Sequence, residues 1–270
     1  MPQTEKQFVN QLKEVSAHAF AEVYAEIEPE LTSYLFRLVA NRDQAEDLAQ
    51  DTFLKGFERI ETYAGASSVK TWLFAIATNL ARDYLRRQQR WHVDAQDRCR
   101  EKTFASEEIQ QCMGRINQTS TQGQYEVKEH IDMCFTCLGK TLPIEQQMAL
   151  ILKDIYGFTV REIARILDRG EGAIKHAVRD ARQSMIGIFD RKCSLVSKQG
   201  TCYQCSELNG LFNPKQAALQ RQLALAEAEP DATRERLYAL RMDLVRAIDP
   251  LTAQGADLHH YMLELIEAST

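Results

Sequence analysis

Residues that interrupt helices are scarce in this chain of 270 residues, which has 6 prolines and 12 glycines. Alternating apolar and polar runs, typical of half-buried strands, are also rare. Apolar residues instead recur at steps of three and four through most of the sequence, which predicts amphipathic helices. We therefore expect an all-α fold.

Several classes of protein are excluded by further absences. No apolar run approaches the length of a membrane span, and the first residues, MPQTEKQFVN, lack the apolar core of a signal peptide. The cytoplasm is therefore the expected compartment. The net charge is −5, so nucleic-acid contact must come from a local basic patch and not from the whole surface. Since no Ser/His/Asp set, phosphate loop or carboxylate pair stands out, we do not expect an enzyme.

Composition and periodicity divide the chain into five segments. We predict a helical domain at 1–91, a polar linker at 92–125 with one short helix as an alternative, a second helical domain at 126–192, a cysteine-rich segment at 193–213, and a helical extension at 214–270.

Two neighbouring stretches of the first domain carry opposite charge. Asp43 to Glu61 holds six acids against two bases, and Lys70 to Arg90 holds five bases against one acid. An acidic face suits a basic protein partner, whereas bases among aromatic residues suit phosphates and unstacked nucleotide bases. A solvated helix surface is the simpler explanation of either charge run.

The apolar residues of these stretches predict which faces are buried. In the first helix the predicted core stripe is Ala45, Leu48, Ala49, Thr52, Phe53, Gly56, Phe57 and Ile60. In the second it is Val69, Leu73, Ile76 and Leu80, and the opposite face carries Trp72, Asn79, Arg82 and Arg86. That opposite face offers stacking, an amide that can contact a base edge, and cations for phosphate. A core tryptophan and a solvated last turn are the alternatives.

The segments AEDLAQDTFLKGFERI and SSVKTWLFAIATNLARDYLRRQQR closely resemble region two of the extracytoplasmic-function (ECF) sigma factors, over about 20–91. The resemblance implies that the contact with core RNA polymerase, or its support, includes Asp47, Gln50, Asp51 and Phe53. It also implies that the −10 promoter strand is captured by Ser67, Ser68, Lys70, Trp72 and Asn79. The cations on the same helix face, Arg82 and Arg86, are candidate phosphate contacts beside them.

The second domain carries a helix-turn-helix pattern. Thr159 and Glu162 fit a capping box, a short break follows at 168–170, and the next helix is basic on its outer face. That face holds Lys175, His176, Arg179 and Arg182, the candidate contacts to the major groove of DNA. TLPIEQQMALILKDIYGFTVREIARIL resembles sigma region four, which implies that these residues contact the −35 element. Arg169 and Ala177 depart from the family pattern, since an apolar residue and an arginine are usual there.

Two Cys-x-x-Cys pairs flank the helix-turn-helix. Cys134 with Cys137 and Cys202 with Cys205 have the spacing of zinc half-sites, and Cys193 and His130 are further candidate ligands. We therefore predict a thiol cluster, which could hold structural or sensory zinc or form a redox switch. Buried cysteines without chemistry are the alternative.

Two helices are predicted in the extension. Their apolar stripes are Leu237, Leu240, Leu244 and Ile248 in the first, and Leu258, Tyr261, Met262, Leu265 and Ile266 in the second. His259 and His260 are predicted to be polar surface. The pair either packs on the sigma domains or docks a further regulatory protein.

Together these features favour a sigma factor that recruits core RNA polymerase to promoter DNA, with reading of the −35 element and melting at −10. One alternative is a helix-turn-helix regulator with a zinc or redox sensor, which binds duplex DNA by itself. Another is a sigma-like recruitment protein that acts through its extension.

Overall fold

The computed structural model describes residues 17–60, 63–122, 127–193 and 232–270. These residues form eleven helices, so the all-α prediction is confirmed. The helices are α1 (Ala17–Val39), α2 (Arg42–Arg59), α3 (Val69–Arg86), α4 (Ala95–Ala105), α5 (Glu107–Thr119), α6 (Val127–Gly139), α7 (Ile144–Asp154), α8 (Val160–Leu167), α9 (Glu171–Lys192), α10 (Arg234–Arg246) and α11 (Ala256–Glu267). No helix in the described ranges is long and apolar enough to cross a membrane.

Helices α1 to α3 pack against one another as the first block. The N-cap Asn41 starts α2, because its side-chain oxygen accepts a hydrogen bond from the Gln44 amide over 2.9 Å. Gly56 lets α2 approach α1 closely, since a β-carbon there would lie only 2.8 Å from the Phe20 ring. Most of the predicted α2 stripe is buried, but Phe57 is 43% exposed, so its assignment to the core was wrong.

The predicted linker at 92–125 contains two helices, α4 and α5, and not one short helix at most as the sequence predicted. In α5 the apolar residues Ile109, Met113 and Ile116 lie at steps of four and three, and Met113 is buried. The buried face of α4 consists of Ala95, Gln96, Cys99 and Thr103. Both helices contact α11, which supplies the apolar surface that their own polar sequences lack.

Helix α6 opens the second block, α6 to α9, and lies at the centre of the molecule. Every residue from Glu129 to Lys140 except Cys134 is buried. This helix contacts α1, α9, α10 and α11, so the first block, the second block and the extension all meet on it. Its buried charges therefore require partners from distant parts of the chain.

The extension helices α10 and α11 pack on both blocks, but α10 uses a face one residue removed from the predicted stripe. Its buried residues are Tyr238, Arg241, Met242 and Val245, whereas Leu237, Leu240, Leu244 and Ile248 are only partly buried. In α11, Leu258, Met262 and Ile266 are buried as predicted. His259 is also buried, so its assignment to the surface was wrong. One continuous apolar core joins the two blocks and the extension.

Candidate nucleic-acid interface

Helix α3 displays the predicted −10 surface. Its N-cap Ser68 accepts a hydrogen bond from the Thr71 amide over 3.1 Å, so the Ser68 hydroxyl first serves to start the helix. The buried side of α3 includes Val69, Leu73 and Ile76, as the periodicity predicted. Burial of these residues turns the opposite side of the helix outward.

Trp72 is held at the edge of that surface by the loop before α3. Its ring lies 5.1 Å from the Tyr63 ring, and the Tyr63 hydroxyl donates to the Ser67 carbonyl. The loop thereby fixes the indole and leaves part of its surface open. The ammonium of Lys70, another predicted −10 contact, lies 2.6 Å from the Glu30 carboxylate.

A cavity of about 360 Å³ lies beside Trp72, between α2 and α3. Its lining includes the amide of Asn79 and two bases of α2, Lys55 and Arg59. An aromatic face, an amide and two cations are the groups that hold an unstacked base and its phosphate. The predicted −10 contacts did not include Lys55 and Arg59, although their spacing of four residues places them on one side of α2.

Arg82 does not lie on the open surface predicted for it. It is 7% exposed, and its guanidinium donates to the Asn79 side chain over 2.6 Å and to the Leu167 carbonyl over 3.2 Å. Its Nε also lies 3.0 Å from the Glu145 carboxylate. Arg82 therefore joins the first block to the second in this arrangement, whereas Arg86 is 60% exposed as expected.

The helix-turn-helix has the predicted local structure. Thr159 and Glu162 form the capping box, and Asp168 ends α8 in the left-handed conformation, with φ 53°. In α9 the buried residues include Ile174, Val178, Ala181, Met185 and Ile188, as expected from the sequence. These contacts fix the rotation of α9 about its axis.

The predicted −35 side chains therefore share the outer face of α9. Lys175, His176 and Arg179 are exposed, and Arg179 pairs with Asp180 over 2.8 Å. Arg182 is anchored, because its Nε donates over 2.8 Å to the buried carboxylate of Asp154.

Helix α2 presents the predicted polymerase-binding face. Asp47, Gln50 and Asp51 are exposed, and Phe53 is half-buried against the rings of α1. Leu54 is 55% exposed and Phe57 43% exposed, so apolar surface accompanies the acids. This apolar surface was not predicted, because Phe57 was assigned to the buried stripe and Leu54 was assigned no role.

The two blocks contact each other beside the surfaces that were predicted to bind DNA. The Arg165 guanidinium of α8 donates to the Ala66 carbonyl, in the loop before α3, over 2.6 Å. The Lys70 ammonium lies 5.4 Å from the centre of the Phe158 ring, just before α8. The helix-turn-helix thus packs on the elements that were predicted to capture the −10 strand.

The thiol cluster is described only in part. Cys134 and Cys137 lie on α6; Cys137 is buried, and the Cys134 sulfur accepts a hydrogen bond from the Gln96 amide over 3.5 Å. Cys202 and Cys205 lie outside the described residues. Among the residues that are described, no group of three or more His, Cys, Asp or Glu side chains is placed to hold a metal ion.

Two further predicted ligands are described. Cys193 is partly buried after the last turn of α9. His130 is buried with its ring 5.5 Å from that of His259 in α11.

Both helical blocks match known protein families. Family models match as Sigma-70 region 2 over residues 23–91 and as Sigma-70, region 4 over residues 133–185. The ECF RNA polymerase sigma factor EcfG of Rhodopseudomonas palustris (strain TIE-1) is 31% identical over 161 residues, which covers 60% of this chain and 80% of that protein. The ECF RNA polymerase sigma factor SigX of Bacillus subtilis (strain 168) is 27% identical over 164 residues, which covers 58% of this chain and 76% of that protein.

A solved structure is also similar, that of the sigma factor RpoE in complex with the anti-sigma factor NepR from Bartonella quintana. It is 23% identical with a TM-score of 0.41, and the match covers 63% of this chain and 96% of that chain. Both family models end before α10, so the extension lies outside the matched ranges.

Proposed function

This chain belongs to the ECF RNA polymerase sigma factors, and from that premise we propose that its two helical blocks divide promoter recognition between them. It is an alternative sigma factor that directs transcription initiation, with core RNA polymerase and promoter DNA as partners. We infer that it acts as a non-catalytic subunit, which positions polymerase and DNA without itself breaking a bond.

Contact with polymerase is assigned to the outer face of α2. Asp47, Gln50 and Asp51 supply polar and acidic groups, while Leu54 and Phe57 supply exposed apolar surface beside them. Apolar anchors among complementary charges are typical of a protein interface, because burial of the anchors gives affinity and the charges give specificity. A basic helical surface on the polymerase fits this face.

Capture of the −10 strand is assigned to the cavity between α2 and α3, and this cavity is the observation that supports the proposal most. Trp72 offers a ring for stacking, Asn79 an amide for a base edge, and Lys55 and Arg59 charge for the phosphate. The outer face of α9 then contacts the −35 duplex through Lys175, His176 and Arg179. Phosphate contacts contribute salt-dependent affinity, and contacts to base edges contribute specificity.

Transcription from supercoiled promoter DNA with purified core polymerase tests this function. We expect specific transcripts only when the chain is present. Replacing Asp47 and Asp51 together with lysine should abolish co-purification with core polymerase, whereas Glu101→Lys, at an exposed position of α4, should not. A stand-alone regulator would bind duplex DNA tightly without polymerase, and that result would overturn the proposal.

We also propose that zinc is held by Cys134, Cys137, Cys202 and Cys205, with Cys193 and His130 as further candidates. The partial exposure of Cys134 on α6, three residues before Cys137, supports this. Four thiolates hold one zinc ion in tetrahedral geometry. Metal analysis of chain purified without chelator should give about one zinc per chain, and replacing Cys202 and Cys205 with serine should remove it. A zinc content near zero in the unaltered chain would contradict the proposal.

A further inference from the structure

The first and second blocks pack against each other, and this closed arrangement is incompatible with a promoter bound to both of them. Promoter positions −35 and −10 lie about 25 base pairs apart, which is about 85 Å of duplex at about 3.4 Å per base pair. Yet the helix-turn-helix directly contacts the loop before α3, through the 2.6 Å hydrogen bond from Arg165 to the Ala66 carbonyl. The blocks must therefore separate by tens of ångströms before both elements can be read.

The extension bonds to several residues of the first block. Asp249 accepts a hydrogen bond from the Ser33 hydroxyl over 2.6 Å, and Asp257 pairs with Arg42 over 2.8 Å. The Ile248 carbonyl accepts from the buried guanidinium of Arg37 over 2.6 Å. These partners belong to α1 and to the start of α2.

The same extension bonds to the second block. The Tyr238 hydroxyl donates to the buried Asp154 carboxylate over 2.9 Å, and Arg246 donates to the Asp154 backbone carbonyl over 2.5 Å. The Glu129 carboxylate of α6 accepts from the backbone amides of Gln254 over 3.0 Å and of Gly255 over 2.8 Å. The extension therefore contacts both blocks through buried or half-buried bonds.

Apolar packing supports these bonds. Leu258, Leu263 and Ile266 of α11 are fully buried, and α11 contacts α4, α5 and α6. The linker also bonds to the extension, because the Asp257 amide donates to the Gln122 carbonyl over 2.9 Å. One short segment thus fastens the first block, the linker and the second block together.

Two direct bonds between the second block and the region of α3 are partly exposed to water, whereas the bond from Arg82 to the Leu167 carbonyl is buried. Glu145, the partner of Arg82, is 37% exposed, and the bond from Arg165 lies at the surface. Exposed pairs contribute little to stability. The buried contacts of the extension therefore add to the buried bonds that the blocks make directly, such as the bond from the Lys140 ammonium to the Val39 carbonyl over 2.9 Å.

We propose that residues 233–270 form an intramolecular latch that holds the two promoter-reading blocks closed and thereby restrains transcription initiation by the free chain. The regulatory role rests on the proposed function, whereas the closure itself does not. When only a small fraction of a protein is in its competent conformation, apparent affinity falls by that fraction. Releasing the latch should therefore increase apparent affinity for core polymerase and promoter.

The test compares the full-length chain with a variant that carries Leu258→Asp and Leu263→Asp. Small-angle X-ray scattering reports closure without polymerase: a compact chain of this length has a radius of gyration of roughly 19 Å, and the variant should exceed the unaltered chain by several ångströms. In promoter transcription the variant should reach half-maximal output at about tenfold lower concentration. Ala239→Asp, on the exposed side of α10, is the matched control and should change neither quantity.

A milder variant distinguishes loss of the latch from misfolding of the extension. Asp249→Ala with Asp257→Ala removes the bonds to Ser33 and Arg42 but leaves the apolar face of α11 intact, and it should shift both quantities in the same direction by a smaller amount. If neither variant expands, or if expanded variants transcribe no better than the unaltered chain, the latch is refuted. If no chain yields specific transcripts, the proposed function fails, and the scattering comparison still decides whether the extension holds the blocks closed.

Discussion

Replacing Asp132 with alanine is expected to destabilise the folded chain by about 3 kcal/mol, because it removes the countercharge of a buried arginine. The Arg37 and Asp132 side chains are 3% and 2% exposed, and Nε and Nη2 of Arg37 lie 3.1 and 3.0 Å from one carboxylate oxygen. Arg37 also donates to the Tyr156 hydroxyl over 2.7 Å and to the carbonyls of Val245 and Ile248. One guanidinium thus joins the first block, the second block and the extension.

The magnitude follows from what each replacement leaves behind. Removing one member of a buried pair typically costs about 3–5 kcal/mol, since a desolvated charge is left without its partner. The lower end applies to Asp132→Ala, because Arg37 keeps three neutral acceptors. Arg37→Met with Asp132→Leu removes both charges and leaves only neutral groups unsatisfied, at about 1–3 kcal/mol each. The double variant should therefore cost at least about 1 kcal/mol less than the two single changes added together.

Urea unfolding of the unaltered chain, the two single variants and the double variant measures these free energies. The coupling between the two positions is obtained by subtraction. Strict additivity, or a loss below about 1 kcal/mol for Asp132→Ala, would refute the role of this pair, because contacts of that size are ordinary for surface groups.

Three further outcomes are expected. Burial lowers the pKa of His259 well below 6.5, so the unfolded chain takes up a proton that the folded chain does not, and the free energy of unfolding should fall as the pH drops from about 7 to about 5. His259→Gln should flatten this slope in urea titrations, and an unchanged slope would contradict the assignment. Gly56→Ala should cost about 1–3 kcal/mol through its clash with an aromatic ring, while Gly114→Ala, with nothing within 4 Å, should stabilise by up to about 1 kcal/mol in the same unfolding assay. Arg179→Ala should reduce the salt dependence of holoenzyme binding to promoter DNA by about 0.9 in log–log slope, and an unchanged slope would contradict a phosphate contact.

Sequence periodicity correctly predicted the features that depend only on residues close together in the chain. The buried side of α9 and the capping box at Thr159 depend on neighbours three or four residues away, so both were predictable. Arg82 was misplaced because the groups that bury it, Glu145 and the Leu167 carbonyl, lie more than 60 positions further along the chain. Phe57 was misplaced because helical spacing cannot show where a buried stripe ends.

The chemistry of α6 indicates why the closed arrangement is compatible with reversible opening. On the side covered by the extension and α1, this helix presents charged groups, Glu129 and Asp132, where a permanent core would carry apolar residues. When the chain is closed, backbone amides of the extension and the Arg37 guanidinium satisfy the two carboxylates. When it opens, water can satisfy the same carboxylates, so neither state leaves a buried charge without a partner. Apolar residues on this side of α6 would make closure harder to reverse, since opening would expose them to water.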